Sequence, residues 1–330
     1  MPLFGVSYFG VRDPRHARAD LDEIAAAGFR TVTHTLSEHD LRYHEKDVGA
    51  LMAETKARGL EAGLDPWGVA GLFGGEAYSE LALTDLASRQ VDASGDSVPA
   101  CCPNAPATRA LLVRWARTAA GLGADVLFWD EPHFYLGALR PKPAAPCCRC
   151  GACQDAWRAT RGGELPLEGT AELAEFRAEC LRTLLAEAIA AAGTSRVRHS
   201  LCLLPRGEFA GAASDDWEGF ARVPGLSRLS TDPYWMSRPV DPADYVRRHA
   251  RPLRDLCAAA GHEMEVWVQG IRIAAGREGD ILAAAGAAAE CGARVISFWS
   301  FRGTERMATL ACENPEAAWL AMCEAVRRLS

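Results

Sequence analysis

An apolar run, Val126-Leu127-Phe128-Trp129, ends in Asp130-Glu131-Pro132-His133, and Cys148, Cys150 and Cys153 follow in the same connecting stretch. An acid pair at the end of a hydrophobic strand delivers charge to the rim of a sheet, where α/β enzymes keep their proton-transfer groups. Leaving such a charge buried and unused would be costly, so Glu131 reads as a candidate acid with Asp130 beside it as a substrate contact. Two more acids precede a proline at strand-like ends, in Asp65-Pro66-Trp67 and Asp232-Pro233-Tyr234-Trp235. Proline stops a β-ladder, which puts the preceding acid at the last strand position. Asp65 and Asp232 are therefore candidate second carboxylates, although Asp-Pro also opens ordinary turns.

Aromatic residues gather at the same ends: Tyr8, Trp67, Tyr234, Trp235 and Trp299. Single aromatics usually belong to the core, but a concentration on one rim resembles a platform for sugar rings. His34 and His133 stand close by as polar contacts or as hydrogen-bonded structural residues. Gln269, which ends Val266-Trp267-Val268-Gln269, is a candidate for holding ligand hydroxyls. Arg302 follows the last strand and can either bind an anionic substituent or pair with a carboxylate of the rim.

The spacing Cys148-x-Cys150-x-x-Cys153 puts three thiols on one turn, and a tetrahedral zinc site needs a fourth ligand from elsewhere. Cys102 is the best candidate, with Cys101, Cys147 and His133 as substitutes. Four sulfurs leave no open coordination position, so the expected cofactor is a structural Zn2+ that staples two loops; an unmetallated or redox-active turn is the alternative. Cys180, Cys202, Cys257, Cys291, Cys312 and Cys323 sit singly in apolar segments and read as small buried hydrophobes.

The elements that must position these residues recur as one unit: an Ala/Leu/Arg/Glu-rich helix, a glycine-containing stop, then a short β-branched or aromatic strand with a polar end. Counting from Phe4–Tyr8 to Val295–Trp299 gives eight strands, the number of a (β/α)8 barrel. The expected architecture is α/β, a single TIM-barrel domain over residues 1–330. Long loops follow strand 3 (66–105) and strand 4 (from 132 to about 168), with a zinc-clip insertion around 130–168. A doubly wound sheet is the competitor, but no Gly-rich phosphate loop follows the first strand.

The chain has 330 residues, 49% hydrophobic and 24% charged, enough apolar material for a large core. A net charge of −7 argues against a nucleic-acid surface. No secretory signal or membrane-length apolar run is evident, so a cytoplasmic protein with a small-molecule partner is expected, and a homo-oligomer is compatible with that.

Together these motifs resemble the clan A glycoside hydrolase barrels, most closely the catalytic barrel of glycoside hydrolase family 42, the β-galactosidase family. That family carries its acid/base glutamate in an Asn-Glu pair at the end of strand 4, followed by a Cys-x-Cys-x-x-Cys clip that an earlier cysteine completes. Trp129-Asp130-Glu131-Pro132 is similar to the first motif with Asp130 in place of Asn. Cys148, Cys150 and Cys153 match the clip, and Cys102-Pro103-Asn104-Ala105-Pro106 with Arg109 resembles the earlier stretch. The motif resemblance runs from about Cys102 to Trp157; elsewhere it is architectural. It implies a glycoside hydrolase-like enzyme acting on a glycoside or sugar-like polyol, with Glu131 as general acid. The departure is at strand 7, where the family's nucleophilic glutamate corresponds to Gln269, and an amide cannot form a glycosyl ester. Asp232 or Asp65 acting instead, a lyase or isomerase chemistry, or a carbohydrate-binding barrel without turnover are the readings this leaves open.

Overall fold

The computed structural model describes residues 1–136, 148–167, 169–195, 197–209, 211–236 and 238–330. Eight parallel strands close into a barrel: β1 (Leu3–Tyr8), β2 (Thr31–Thr35), β3 (Glu61–Asp65), β6 (Val126–Trp129), β7 (Arg198–Leu203), β8 (Arg228–Thr231), β9 (Glu263–Gln269) and β10 (Val295–Trp299). The remaining two, β4 (Arg89–Val91) and β5 (Ser97–Cys101), form an antiparallel hairpin inside the loop after β3. The eight strands are those expected from the sequence, and the fold is a (β/α)8 barrel. The hairpin was not legible, because β4 is only three residues long and β5 contains Pro99.

The principal helices around the barrel are α1 (Pro14–Ala26), α3 (Glu45–Ala57), α5 (Pro106–Gly121), α7 (Ala171–Ala192), α9 (Pro242–Ala260), α10 (Gly279–Glu290) and α11 (Pro315–Leu329). Shorter ones are α2 (Glu38–Tyr43), α4 (Glu80–Thr84), α6 (Gly151–Thr160) and α8 (Trp217–Ala221). Their starts follow from local chemistry. Asp13, ahead of Pro14, accepts from the Arg15 amide at 2.9 Å, and Asp241, ahead of Pro242, accepts from the Asp244 amide at 2.9 Å. Ser37 and Asp40 satisfy one another's backbone amides in a capping box at α2.

The two ends of the barrel differ. Near the N-terminal ends of the strands, Arg228 is buried and reaches Glu263 at 3.0 Å and both Glu61 and Glu265 at 3.8 Å. Glu265 lies inside the barrel, where the Ser297 hydroxyl donates to it at 2.6 Å and the Ser200 hydroxyl at 3.2 Å. A satisfied polar plug therefore closes this end, and the cleft opens at the other. Around the cleft, the loop after β3 wraps the loop after β6. Gly74 donates to the Asp130 carbonyl at 3.0 Å, His133 to the Leu72 carbonyl at 2.9 Å, and buried Gln90 accepts from the Tyr135 amide at 3.1 Å. Residues 137–147 and 168 of the expected clip insertion, including Cys147, lie outside the described residues.

Candidate active site

A cavity of about 510 Å³ opens at the C-terminal rim, with Glu76, Asp130, Glu131 and Asp232 on its wall. Side chains alternate along a strand, so β6 turns Phe128 into the barrel and Trp129 out to the helices, where it packs 5.4 Å from Trp115. Strict alternation would turn Glu131 outward as well. Its backbone is left-handed instead (φ +44°), which brings its side chain to the cavity beside Asp130. That conformation is uncommon for a residue with a Cβ and stores backbone strain. Gly74 makes room for both acids: a Cβ there would lie 2.2 Å from Asp130 Oδ2 and 3.0 Å from Glu131 Oε2.

Desolvation raises the Glu131 carboxyl well above its usual range, and the Asp232 charge and a hydrogen bond donated to Asp232 raise it further. Burial pushes Asp232 up to about 7, against the pull of the proton it accepts from Glu131 and of the Cys202 thiol. The two carboxyls thus lie close enough for each to shift the other, Glu131 upward and Asp232 downward against its burial. Asp130 is raised by burial and by the Glu131 and Glu76 charges. Asp65 is fully buried, with both carboxyl oxygens lacking a hydrogen-bond partner among the described residues; burial and the neighbouring acids raise it well above its usual range.

The apolar side of the cavity is a cluster separate from the main core. Phe128 packs 4.9 Å from Trp267, Trp267 5.9 Å from Trp299, and Phe9 stacks on Trp299 at 5.2 Å. Tyr234 also lines it. The Trp267 indole N–H, Asp232 Oδ1 and the Tyr245 hydroxyl are buried and have no hydrogen-bond partner among the described residues, and all three residues line the cavity.

Several residues expected at the rim lie elsewhere. Alternation turns Tyr8 and His34 to the outer face of the barrel. The Tyr8 hydroxyl donates to Asp20 at 2.7 Å; His34 is buried with Nε2 2.8 Å from Thr55 Oγ1, and burial lowers its pKa to about 3. Arg302 pairs with Glu23 at 2.6 Å and lines a second pocket with Tyr8. Trp67 packs 5.3 Å from Phe9 and donates from Nε1 to Glu76 at 3.1 Å, held by Gly75 (φ +107°), where a Cβ would meet the indole. Trp235 is buried outside the cavity lining. His133 Nδ1 hydrogen-bonds the Glu131 carbonyl, which braces the backbone behind the acid.

Gln269 is also a correction. Its Oε1 accepts from the Met236 amide at 2.8 Å and its Nε2 donates to the Ile271 carbonyl at 2.8 Å. Both ends of the amide tie the loops after β8 and β9 together, and the side chain does not line the cavity. Sequence reasoning missed Glu76, Arg238, Arg272 and Tyr245, which all line it. Gly74-Gly75 before Glu76 was a usable signal of close backbone approach, and Arg272 was visible as a cation just past a strand end. Tyr245 on α9 carried none. Cys202, read as a bland hydrophobe, is fully buried in the cluster with Phe128 and Trp267, and its thiol is near enough to Asp232 to lower that carboxyl.

Cys102, Cys148, Cys150 and Cys153 form a buried cluster whose sulfurs all lie within 4.8 Å of one another, a grouping able to hold a metal ion. Four sulfurs about 2.3 Å from a tetrahedral ion would be roughly 3.8 Å apart, close to this spacing. Amide N–H groups point at the sulfurs: Val91 and Cys150 to Cys148 at 3.4 Å, Asn104 to Cys102 at 3.4 Å, and Asn104 Nδ2 to Cys153 at 3.3 Å. Such donors are the usual support for thiolate ligands. Cys101 and His133 stand outside the cluster. Because Arg149 also donates to the Val91 carbonyl at 2.7 Å, the cluster pins the β4–β5 hairpin to the start of α6.

The fold and site together define a (β/α)8 barrel with a carboxyl-rich cleft at its C-terminal rim, the fold that clan A glycoside hydrolase barrels share. No protein-family model matches the sequence, and no curated protein matches it. Among solved structures, a catalytic mutant of a GH42 beta-galactosidase from G. stearothermophilus superposes with a TM-score of 0.74 at 13% identity over 99% of this chain and 56% of that one. The chain thus spans about half the length of that protein. The catalytic domain of beta-amylase from Paenibacillus polymyxa gives a TM-score of 0.67 at 11% identity over 98% of each chain. D-Psicose 3-epimerase from Clostridium cellulolyticum H10 gives 0.53 at 13% over 99% of each chain. At these identities the likeness is one of fold. No helix among the described residues is long and apolar enough to cross a membrane.

Proposed function

We propose that the protein is a glycoside hydrolase-like enzyme that acts on a glycoside or sugar-like polyol, with Glu131 as the proton donor. One observation carries this reading: Glu131 lines a cavity walled by indole and phenol rings, burial raises its carboxyl well above the usual range, and no guanidinium among the described residues is paired with it. A glycosidic oxygen that displaces Asp232 as the acceptor of that proton becomes the leaving group. Asp232 stands close enough to Glu131 for its charge to raise that carboxyl. Asp232 therefore acts as the proton's partner, and Asp65 as a buried neutral neighbour. Glu76, the exposed carboxyl of the cleft lining, is the candidate base for activating water. Asp130, Trp299 and Tyr234 contact the sugar.

The four-cysteine cluster holds a structural zinc, since four sulfurs leave no position for substrate. The protein works as a single barrel domain, in a cytoplasmic setting that keeps its thiols reduced. The test is turnover of a panel of aryl glycosides in H₂¹⁸O. Label at the anomeric carbon and a loss of about 10²- to 10⁴-fold in Glu131→Gln are expected.

The same close contact favours a second reading, in which Glu131 and Asp232 move a proton on a sugar without hydrolysis, as an isomerase or lyase. A rearranged or unsaturated product without ¹⁸O would establish it and overturn hydrolysis. Ligand binding that is unchanged in Glu131→Gln, with no product of either kind, would leave a binding barrel without turnover.

A further inference from the structure

Two guanidinium groups enter the cavity that holds the acids, and neither has a role in proton transfer. Arg272 follows β9 with a left-handed backbone (φ +50°), fixed by its amide on the Leu310 carbonyl at 2.9 Å and its Nε on the Thr309 carbonyl at 2.8 Å. Its Nη1 lies 3.9 Å from Met236 Sδ, and no carboxylate among the described residues lies within ion-pair distance of it. Arg238 comes from the loop after β8. Its Nη1 donates to the Tyr234 carbonyl at 3.1 Å, its guanidinium lies over the Tyr245 ring at 5.5 Å, and Glu208 is 3.7 Å from its Nε. Both line the cavity. An arginine held by a backbone carbonyl keeps a preorganised fork of N–H donors, the geometry that matches a carboxylate or phosphate. Backbone strain at Arg272 is the cost of holding that fork on the rim.

Glu208 pairs with Arg238, whereas Arg272 has no carboxylate within ion-pair distance among the described residues. Asp65, Asp130 and Glu131 are driven toward their neutral forms by burial and by one another, and Glu76, though drawn down by Arg272, is raised overall by desolvation. Burial thus weakens the negative charge of the floor, while Arg272 and Arg238 stand at the rim.

We infer that the sugar this cavity takes carries an anionic substituent, a uronate carboxylate or a sugar phosphate, held by Arg272 and Arg238 on the loops after β9 and β8. This inference rests on the carbohydrate reading of the same cavity.

The test is calorimetric titration of the Glu131→Gln holoprotein, so that turnover plays no part. The probes are D-glucuronate and D-galacturonate, D-glucose 6-phosphate, and the neutral parents D-glucose and D-galactose. An anionic sugar is expected to bind about ten-fold or more tightly than its parent, and Arg272→Met or Arg238→Met to remove that margin while leaving the neutral sugar's affinity in place. The carboxylate and phosphate arms distinguish the two sources of charge. Equal affinity for charged and neutral sugars, or a loss in the arginine variants that falls equally on both, overturns the inference and leaves the carbohydrate reading standing. No binding by any of the five sugars counts against both. Thermal midpoints of the two variants within a few degrees of the parent confirm that they are folded.

Discussion

A carboxylic acid keeps its proton at neutral pH where water and counter-charges are withheld, and Glu131 meets both conditions beside a second acid that accepts the proton. The pH dependence of activity follows. A donor must be protonated, so kcat/KM falls as pH rises through the titration of the Glu131–Asp232 pair. Asp232→Asn removes the charge that raises Glu131, so the alkaline limb should move to lower pH; a limb that stays in place would assign it to another group. Glu131 and Asp232 were legible in the sequence because a strand end announces an acid. Tyr8 and His34 also sit at strand ends, yet the two-residue period turns them outward, and counting inward from Ser297 and Trp299 on the neighbouring strand would have separated them. The role of Gln269 was not legible, since its partners are the Met236 amide and the Ile271 carbonyl, and backbone groups leave no trace in residue type.

The loops that build the site are held by elements too short to read. The β4–β5 hairpin carries Gln90 against the loop after β6, and the cysteine cluster fastens it to α6 through Val91 and Arg149. The spacing of the three late cysteines was clear in advance; that Cys102 closes the set depended on a hairpin that sequence patterns did not reveal. Metal binding and local folding are coupled at such a clip. Cys153→Ala should leave less than half an equivalent of zinc by elemental analysis and speed proteolytic cutting between Leu86 and Cys101, whereas Cys323→Ala should change neither. Full metal content in Cys153→Ala would remove the clip from the account.

Over the whole molecule, ionisable groups are divided between the barrel's ends: an arginine-centred plug at one, a crowd of acids raised by burial at the other. The barrel itself was legible because a helix, a glycine-containing stop and a short strand recur until eight strands are counted. The plug was not, because Arg228 and Glu265 lie in different strands and meet only once the barrel closes. Arg228→Leu leaves the Glu265 carboxyl buried without its cation and should lower stability by about 3 to 5 kcal/mol in urea titration, with residual activity per folded molecule preserved. A shift below about 1 kcal/mol would make the plug dispensable.

The amide bridge at Gln269 has a practical consequence for chemical probes. Inactivators that work by arresting an ester on a barrel's seventh strand, such as 2-deoxy-2-fluoro glycosides, will find no oxygen nucleophile there. Restoring one by Gln269→Glu would set an anion against the Ile271 carbonyl and loosen the very loops that carry Arg272 and Arg238.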